Sequence, residues 1–290
     1  MKAQNTVKNV FRTGMSGMLF LFIALLSGAV ANAQKYTYDQ VEVYKKTAQR
    51  ELNISFLYPE KWEERADWPL VVFFHGGGWN SGAIGQFAPY AQYFADKGMV
   101  CALVQYRLKK TDGTDPIASL MDAKSAIRYL KAHAAEHRFD PDRIVASGGS
   151  AGGHLAAAVE LVRDFNDPGD DLSVGTRVAA LVLFNPVLDN GPDGYGYERL
   201  GERYKKFSPF HQDKKGMADV LIMLGTKDKL IPVKTMEDFR DDVRRSGAHC
   251  ELVLYQDQGH GFFNINRENG KYFRATRDEM EKFLHERKFF

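Results

Sequence analysis

The chain has 290 residues, 44% hydrophobic and 26% charged, a balance that fits a soluble globular protein with a full-sized core and argues against a disordered or fibrous one. Its 39 basic and 37 acidic side chains leave a formal net charge of +2, too small to point to nucleic acid or an anionic membrane surface as partner.

In chain order, Lys2, Lys8 and Arg12 precede an apolar run over residues 18–26, which is followed by Ala31-Asn32-Ala33. That is the layout of a secretory signal peptide with an Ala-x-Ala cleavage site. A retained membrane anchor is the alternative, but the run is shorter than the ~20 residues a spanning helix needs. Residues 1–33 are therefore expected to be removed, leaving one domain over 34–290 that is secreted or periplasmic and makes no membrane contact after cleavage. An exported chain can form disulfides. Its two cysteines, Cys101 and Cys250, fall in strands expected on opposite sides of the sheet centre, so both are expected to remain free thiols.

Residues 41–44 and 52–58 alternate apolar and polar side chains, as in an antiparallel hairpin with one wet face. Leu70-Val71-Val72-Phe73-Phe74 is continuously apolar, as in a strand covered on both faces. From there strand and helix alternate. Helix is expected over 88–97, strand over 99–105, helix over 117–135, a short helical turn at Asp140-Pro141, and strand over 143–146. Further strands fall at 178–184, 220–224 and 251–255, with helices over 233–246 and 270–285. Repeated βα units imply the α/β class, a mainly parallel sheet with helices on both faces. Residues 185–217 break the pattern. Rich in glycine, proline, aspartate and tyrosine, they are expected to form a loop and small helix inserted over the site.

Gly148-Gly149-Ser150-Ala151-Gly152 joins an apolar strand to an alanine-rich helix. This Gly-x-Ser-x-Gly spacing is that of a nucleophile elbow, a strained turn that lifts the Ser150 hydroxyl above the sheet. His75-Gly76-Gly77-Gly78-Trp79 ends a buried strand, where successive glycines let backbone amides approach a ligand. The amides of Gly77, Gly78 and Ala151 are expected to form an oxyanion hole. Asp228, just after a strand, is the candidate carboxylate, with Asp257 and Asp189 as rivals; the order Ser, Asp, His favours Asp228. His260, flanked by glycines after the last strand, is the candidate base. The ring must be neutral to take a proton, so activity is expected to rise through the range where imidazole deprotonates. Of the eight histidines, His75 and His154 are expected to be structural, and His133, His137 and His285 to occupy solvated helix positions. No metal is expected, because His133 and His137 have the i, i+4 spacing without the adjacent glutamate of zinc hydrolases. No cofactor is expected either, since the glycine loop lacks the Gly-Lys-Ser/Thr ending of a phosphate cradle.

Together with Gly225-Thr226-Lys227-Asp228 and Gly259-His260-Gly261-Phe262, the glycine loop and the elbow make four motifs that resemble those of the α/β-hydrolase superfamily, in particular its hormone-sensitive-lipase-like esterases. They are closer still to the secreted bifunctional carbohydrate acetyl and feruloyl esterases of bacteria that degrade plant polysaccharides. The resemblance runs from about residue 51 to the C-terminus and implies a mostly parallel eight-stranded sheet. The hormone-sensitive-lipase type also carries an N-terminal helical cap, for which there is little chain here. That favours an open cleft partly covered by residues 189–210. Trp79, Tyr195, Tyr197 and Phe210 are candidates to stack on a sugar face or an aromatic acyl group, or else pack the insert. Asp189, Asn190 and Asp193 are candidates to bond hydroxyls. The activity expected is that of a serine carboxylesterase acting on short acyl or aromatic acyl esters, carried by a small molecule, an oligosaccharide or a polysaccharide. The alternatives are an arylformamidase-like amidase, a prolyl-oligopeptidase-like peptidase lacking that family's large extra domain, and a non-catalytic binding protein. Oligomeric state is left open.

Overall fold

Alternating burial decides the first two strands. β1 (Gln40–Lys46) keeps an exposed face, while β2 (Glu51–Leu57) turns Leu52, Ile54 and Phe56 inward, and the two pair antiparallel. β3 (Trp68–Phe74), β4 (Val100–Val104), β5 (Phe139–Gly149), β6 (Ala180–Phe184), β7 (Asp219–Gly225) and β8 (Cys250–Tyr255) complete an eight-stranded sheet in the order β1-β2-β4-β3-β5-β6-β7-β8. Apart from the pairs β1–β2 and β2–β4, its ladders are parallel. The structure, a computed structural model, describes residues 36–290, so the expected signal peptide lies outside the described residues. Contacts divide the chain into Met1–Thr37 and Tyr38–Phe290, and the sheet belongs to the second unit.

Alternate residues of β3 serve opposite faces of the sheet. Leu70, Val72 and Phe74 join Leu120, Ile127 and Leu155 of the helices Pro116–Ala132 and Ala151–Leu161. On the other face, Phe73 stacks on Phe87 with 5.3 Å between centroids, in a cluster with Tyr90, Phe184 and Phe263. Asp115 starts the longer of those helices by accepting the amides of Ile117 and Ala118. Cys101 in β4 and Cys250 in β8 are buried free thiols with four strands between them.

Two expectations are corrected. Asp140-Pro141 opens no helical turn: it lies inside β5, where Asp140 Oδ1 accepts the Asp142 amide at 2.8 Å and the register with β3 shifts. The same Asp side chain that can cap a helix has closed a local turn within an irregular strand. His137 is not on a solvated helix. The helix ends at Ala132, and the following turns bury the ring against Phe56, at 4.1 Å between centroids, with the Tyr58 hydroxyl 2.8 Å from Nδ1.

The chain turns one way from β3 to β4 and the other way to β5. That reversal creates the crevice at the carboxyl ends of the strands where open α/β sheets bind ligands.

Candidate active site

Strand register assembles the site. Phe74 pairs with Gly148 and Gly149 with Phe184, so residues 75, 150 and 185 leave the sheet side by side. β7 and β8 end opposite each other at Gly225 and Tyr255, which sends the loops holding Asp228 and His260 over the same edge.

Ser150 sits at φ 55° and ψ −119°, a conformation that side-chain-bearing residues avoid. Three hydrogen bonds hold it there. Its amide donates to the Phe184 carbonyl at 2.9 Å, and its carbonyl accepts from the amides of His154 at 3.0 Å and Val187 at 3.1 Å. A Cβ on Gly152 would stand 2.0 Å from the Phe74 carbonyl oxygen, so the helix can approach the strand this closely only with glycine there.

Ser150 Oγ lies 2.9 Å from His260 Nε2, and His260 Nδ1 lies 2.8 Å from Asp228 Oδ2. The Asp228 side chain is fully buried, and its Oδ1 accepts the amides of Leu230 at 2.9 Å and Ile231 at 3.1 Å. With a carboxylate at Nδ1, the neutral ring carries its proton there and leaves Nε2 free to accept from the serine. The rivals are elsewhere. Asp257 pairs with Lys227 at the surface, and Asp189 Oδ1 accepts the Gly191 amide at 2.8 Å.

Gly77 and Gly78 hold φ values of 119° and 65°, and among the described residues neither amide meets a backbone acceptor. Ala151 is the first residue of its helix, where an N–H has no partner within the helix. The glycine loop is tied down on several sides. The Tyr106 hydroxyl donates to the His75 carbonyl at 2.6 Å, the Gly76 amide to Gln86 Oε1 at 2.6 Å, and an Arg199 Nη to the Gly78 carbonyl at 2.6 Å.

His75 and His154 are indeed buried supports. His75 Nδ1 bonds the Gly76 carbonyl at 2.7 Å and His154 Nε2 the Phe207 carbonyl at 3.1 Å. Burial pushes their pKa values down to about 4 and about 3, so both rings stay neutral. The unfolded chain takes up these protons near pH 6.5 and the folded one does not, so stability is full above that pH and falls as the pH drops towards 4. Each ring should remove roughly 3 kcal/mol over that interval. Melting temperatures recorded from pH 7 to pH 4.5 should decline steeply, and His154→Gln should flatten the decline.

The substrate candidates divide. Tyr195 lines the cleft at Ser150, a space of about 320 Å³, and its hydroxyl lies only 2.7 Å from the position a Cβ on Gly78 would take. Trp79 does not line it. Its side chain is 1% exposed, packed on the rings of His154 at 5.0 Å and Phe207 at 5.8 Å. Asn190 is fully buried and donates to the Tyr195 carbonyl at 2.8 Å. Tyr197 bonds Glu202 and packs edge-on against Tyr204, while Phe210 packs against the core and His211; neither lines the Ser150 cleft. Asp189 and Asp193 border a separate recess of about 20 Å³. The insert is thus fastened into the body by Leu200 and Phe207 and only partly overlies the site. Gln86, Asn185, Asn264 and Arg267 line the cleft and were not singled out from the sequence. Asn185 had a signal, since it follows a strand end as Asp228 nearly does. Its Oδ1 accepts the Gly261 amide at 2.9 Å and so holds the loop carrying His260.

The family model described as BD-FAE matches residues 54–189, and that of the dienelactone hydrolase family matches residues 174–287. A probable carboxylic ester hydrolase of Mycobacterium tuberculosis, LipM, is 29% identical over 75% of this chain and 54% of its own length. The chain spans about half the length of the curated relatives it matches. Esterase 2 of Thermogutta terrifontis, solved phosphorylated by paraoxon, superposes with a TM-score of 0.82 at 39% identity, covering 87% of this chain and 95% of that one. The butyrate-bound form of the same esterase gives a TM-score of 0.82 at 38% identity, with the same coverage. The fold, the elbow and these likenesses agree: the chain belongs to the α/β-hydrolase superfamily, with the features of its hormone-sensitive-lipase-like esterases.

Proposed function

We propose that this protein is a serine carboxylesterase. The observation that carries the reading is the continuous Ser150–His260–Asp228 hydrogen-bond chain beside the Gly77, Gly78 and Ala151 amides. His260 takes the Ser150 proton as Oγ attacks the ester carbonyl. The three amides hold the charge that develops on the carbonyl oxygen, a contribution of about 3–4 kcal/mol per donor. His260 then protonates the leaving alcohol, and water repeats the sequence to free the acid.

The natural substrate is a short acyl or aromatic acyl ester of a carbohydrate, met outside the cytoplasm after signal-peptide removal. Three things support this. The cleft wall carries Gln86, Asn185, Asn264 and Arg267 rather than a long apolar channel. The similar Thermogutta esterase binds butyrate. The N-terminal residues have the layout of an export signal. A panel of 4-nitrophenyl acetate, acetylated xylan, methyl ferulate and matched amides tests it. Turnover of the esters with little on the amides is expected, and preferential cleavage of the amides would replace esterase by amidase.

Arg199 is a positioning residue in this account. Its guanidinium holds the Gly78 carbonyl and lies 5.2 Å from the Trp79 ring centroid. Arg199→Ala should lower kcat about 10- to 100-fold with little change in KM, because a misaligned donor is lost chiefly in the transition state. Arg199→Lys should restore part of it, and steady-state kinetics on 4-nitrophenyl acetate reads both.

A further inference from the structure

On the far side of His260 a further space adjoins the cleft. A second, open trough of about 420 Å³ is lined by Gln258, His260, Phe262, Asn266, Arg267 and Glu268, and His260 and Arg267 border both spaces. Arg267 is held by its backbone on both sides: its amide donates to the Asn264 carbonyl at 2.9 Å, and its carbonyl accepts the Gly270 amide at 2.8 Å. Asn264 is itself bonded to Gln86 at 3.0 Å and to the Gly261 carbonyl at 2.7 Å. The next two residues, Glu268 at φ 42° and Asn269 at φ 51°, adopt left-handed backbone that non-glycine residues avoid.

A loop so fastened and strained presents a cation with nothing to hold. Among the described residues the Arg267 guanidinium has no carboxylate or carbonyl acceptor, whereas Arg50, Arg107 and Arg128 are paired with Asp112, Asp122 and Asp170. Among the described residues no carboxylate lines the Ser150 cleft, and Glu268, the one carboxylate bordering the trough, forms no ion pair with Arg267. The leaving oxygen must lie where His260 Nε2 can protonate it. The open trough on the His260 side, which Arg267 borders, is the space next to that oxygen that can receive the alcohol half of the ester.

We infer that Arg267 anchors a carboxylate carried on the alcohol half of the ester, so that the preferred substrates are O-acyl esters of hydroxy acids such as uronic acid residues. A planar guanidinium matches a carboxylate with two parallel hydrogen bonds. This inference rests on the esterase reading above for the direction of the leaving group.

The test compares 4-acetoxybenzoate with its neutral isostere 4-acetoxybenzamide, and 4-nitrophenyl hydrogen succinate, whose charge is on the acyl side, with 4-nitrophenyl butyrate. The native protein should favour the benzoate in kcat/KM by about ten-fold, the worth of one charge-assisted pair. Arg267→Gln should bring that ratio near one and Arg267→Glu should invert it, with the succinate-to-butyrate ratio unmoved. Rising salt should erode the native preference. A native ratio near one, or a ratio that survives Arg267→Gln, would overturn the inference. Binding of 4-hydroxybenzoate and 4-hydroxybenzamide by the Ser150→Ala protein, measured by calorimetry, decides the matter without turnover. Absence of hydrolysis with preserved Arg267-dependent binding would sink the esterase reading and leave the anion site standing.

Discussion

Ser150→Ala should lower kcat on 4-nitrophenyl acetate by about 10⁵- to 10⁶-fold while leaving the melting temperature close to that of the native protein. The size follows from what the hydroxyl does: without Oγ no acyl-enzyme forms, and the two easier steps revert to one direct attack by water. The amides of Gly77, Gly78 and Ala151 remain, so turnover should still exceed that in water by about 10³-fold. Folding should survive, because the bonds that hold the elbow are made by the Ser150 backbone and not by its side chain. Steady-state rates alongside thermal melts check both halves of the statement.

Asp228→Asn should cost about 10⁴-fold in kcat, with KM little changed. Here the local geometry makes the prediction sharp. Asp228 Oδ1 accepts two amides, those of Leu230 and Ile231. An asparagine would keep its carbonyl oxygen there, because its NH₂ cannot accept. The NH₂ is then forced towards His260 Nδ1 and favours the ring tautomer that is protonated on Nε2, which cannot take the serine proton. Since the amide contacts persist, the melting temperature should move little. A variant that kept a tenth or more of native kcat would mean that Asp228 does not set the tautomer.

The sheet and the convergence of Ser150, Asp228 and His260 were legible because each is written in short-range chemistry. Runs such as 70–74 are apolar throughout because both faces of β3 are covered, and Ser150, Asp228 and His260 each follow a strand end, where loops must converge. Glycines at 148 and 152 mark a backbone approach that no side chain tolerates. The insert was not legible in the same way. Trp79, Tyr197 and Phe210 have the composition of a sugar platform, yet Trp79 lies beneath the insert because His154 and Phe207 offer it rings to pack on. That partnership spans residues 79, 154 and 207, and no local pattern announces it. His137 and Gln86 failed to signal for the same reason: their partners, Phe56 and Tyr58 for one, Gly76 and Asn264 for the other, are set by tertiary packing.

The most direct measurement of the central claim is covalent. Incubation with paraoxon, followed by intact mass and peptide mapping, should show one diethylphosphoryl group per chain, on Ser150, with loss of esterase activity in proportion to labelling. Label carried by another residue, or activity that persists when Ser150 is fully modified, would contradict a nucleophile at that elbow.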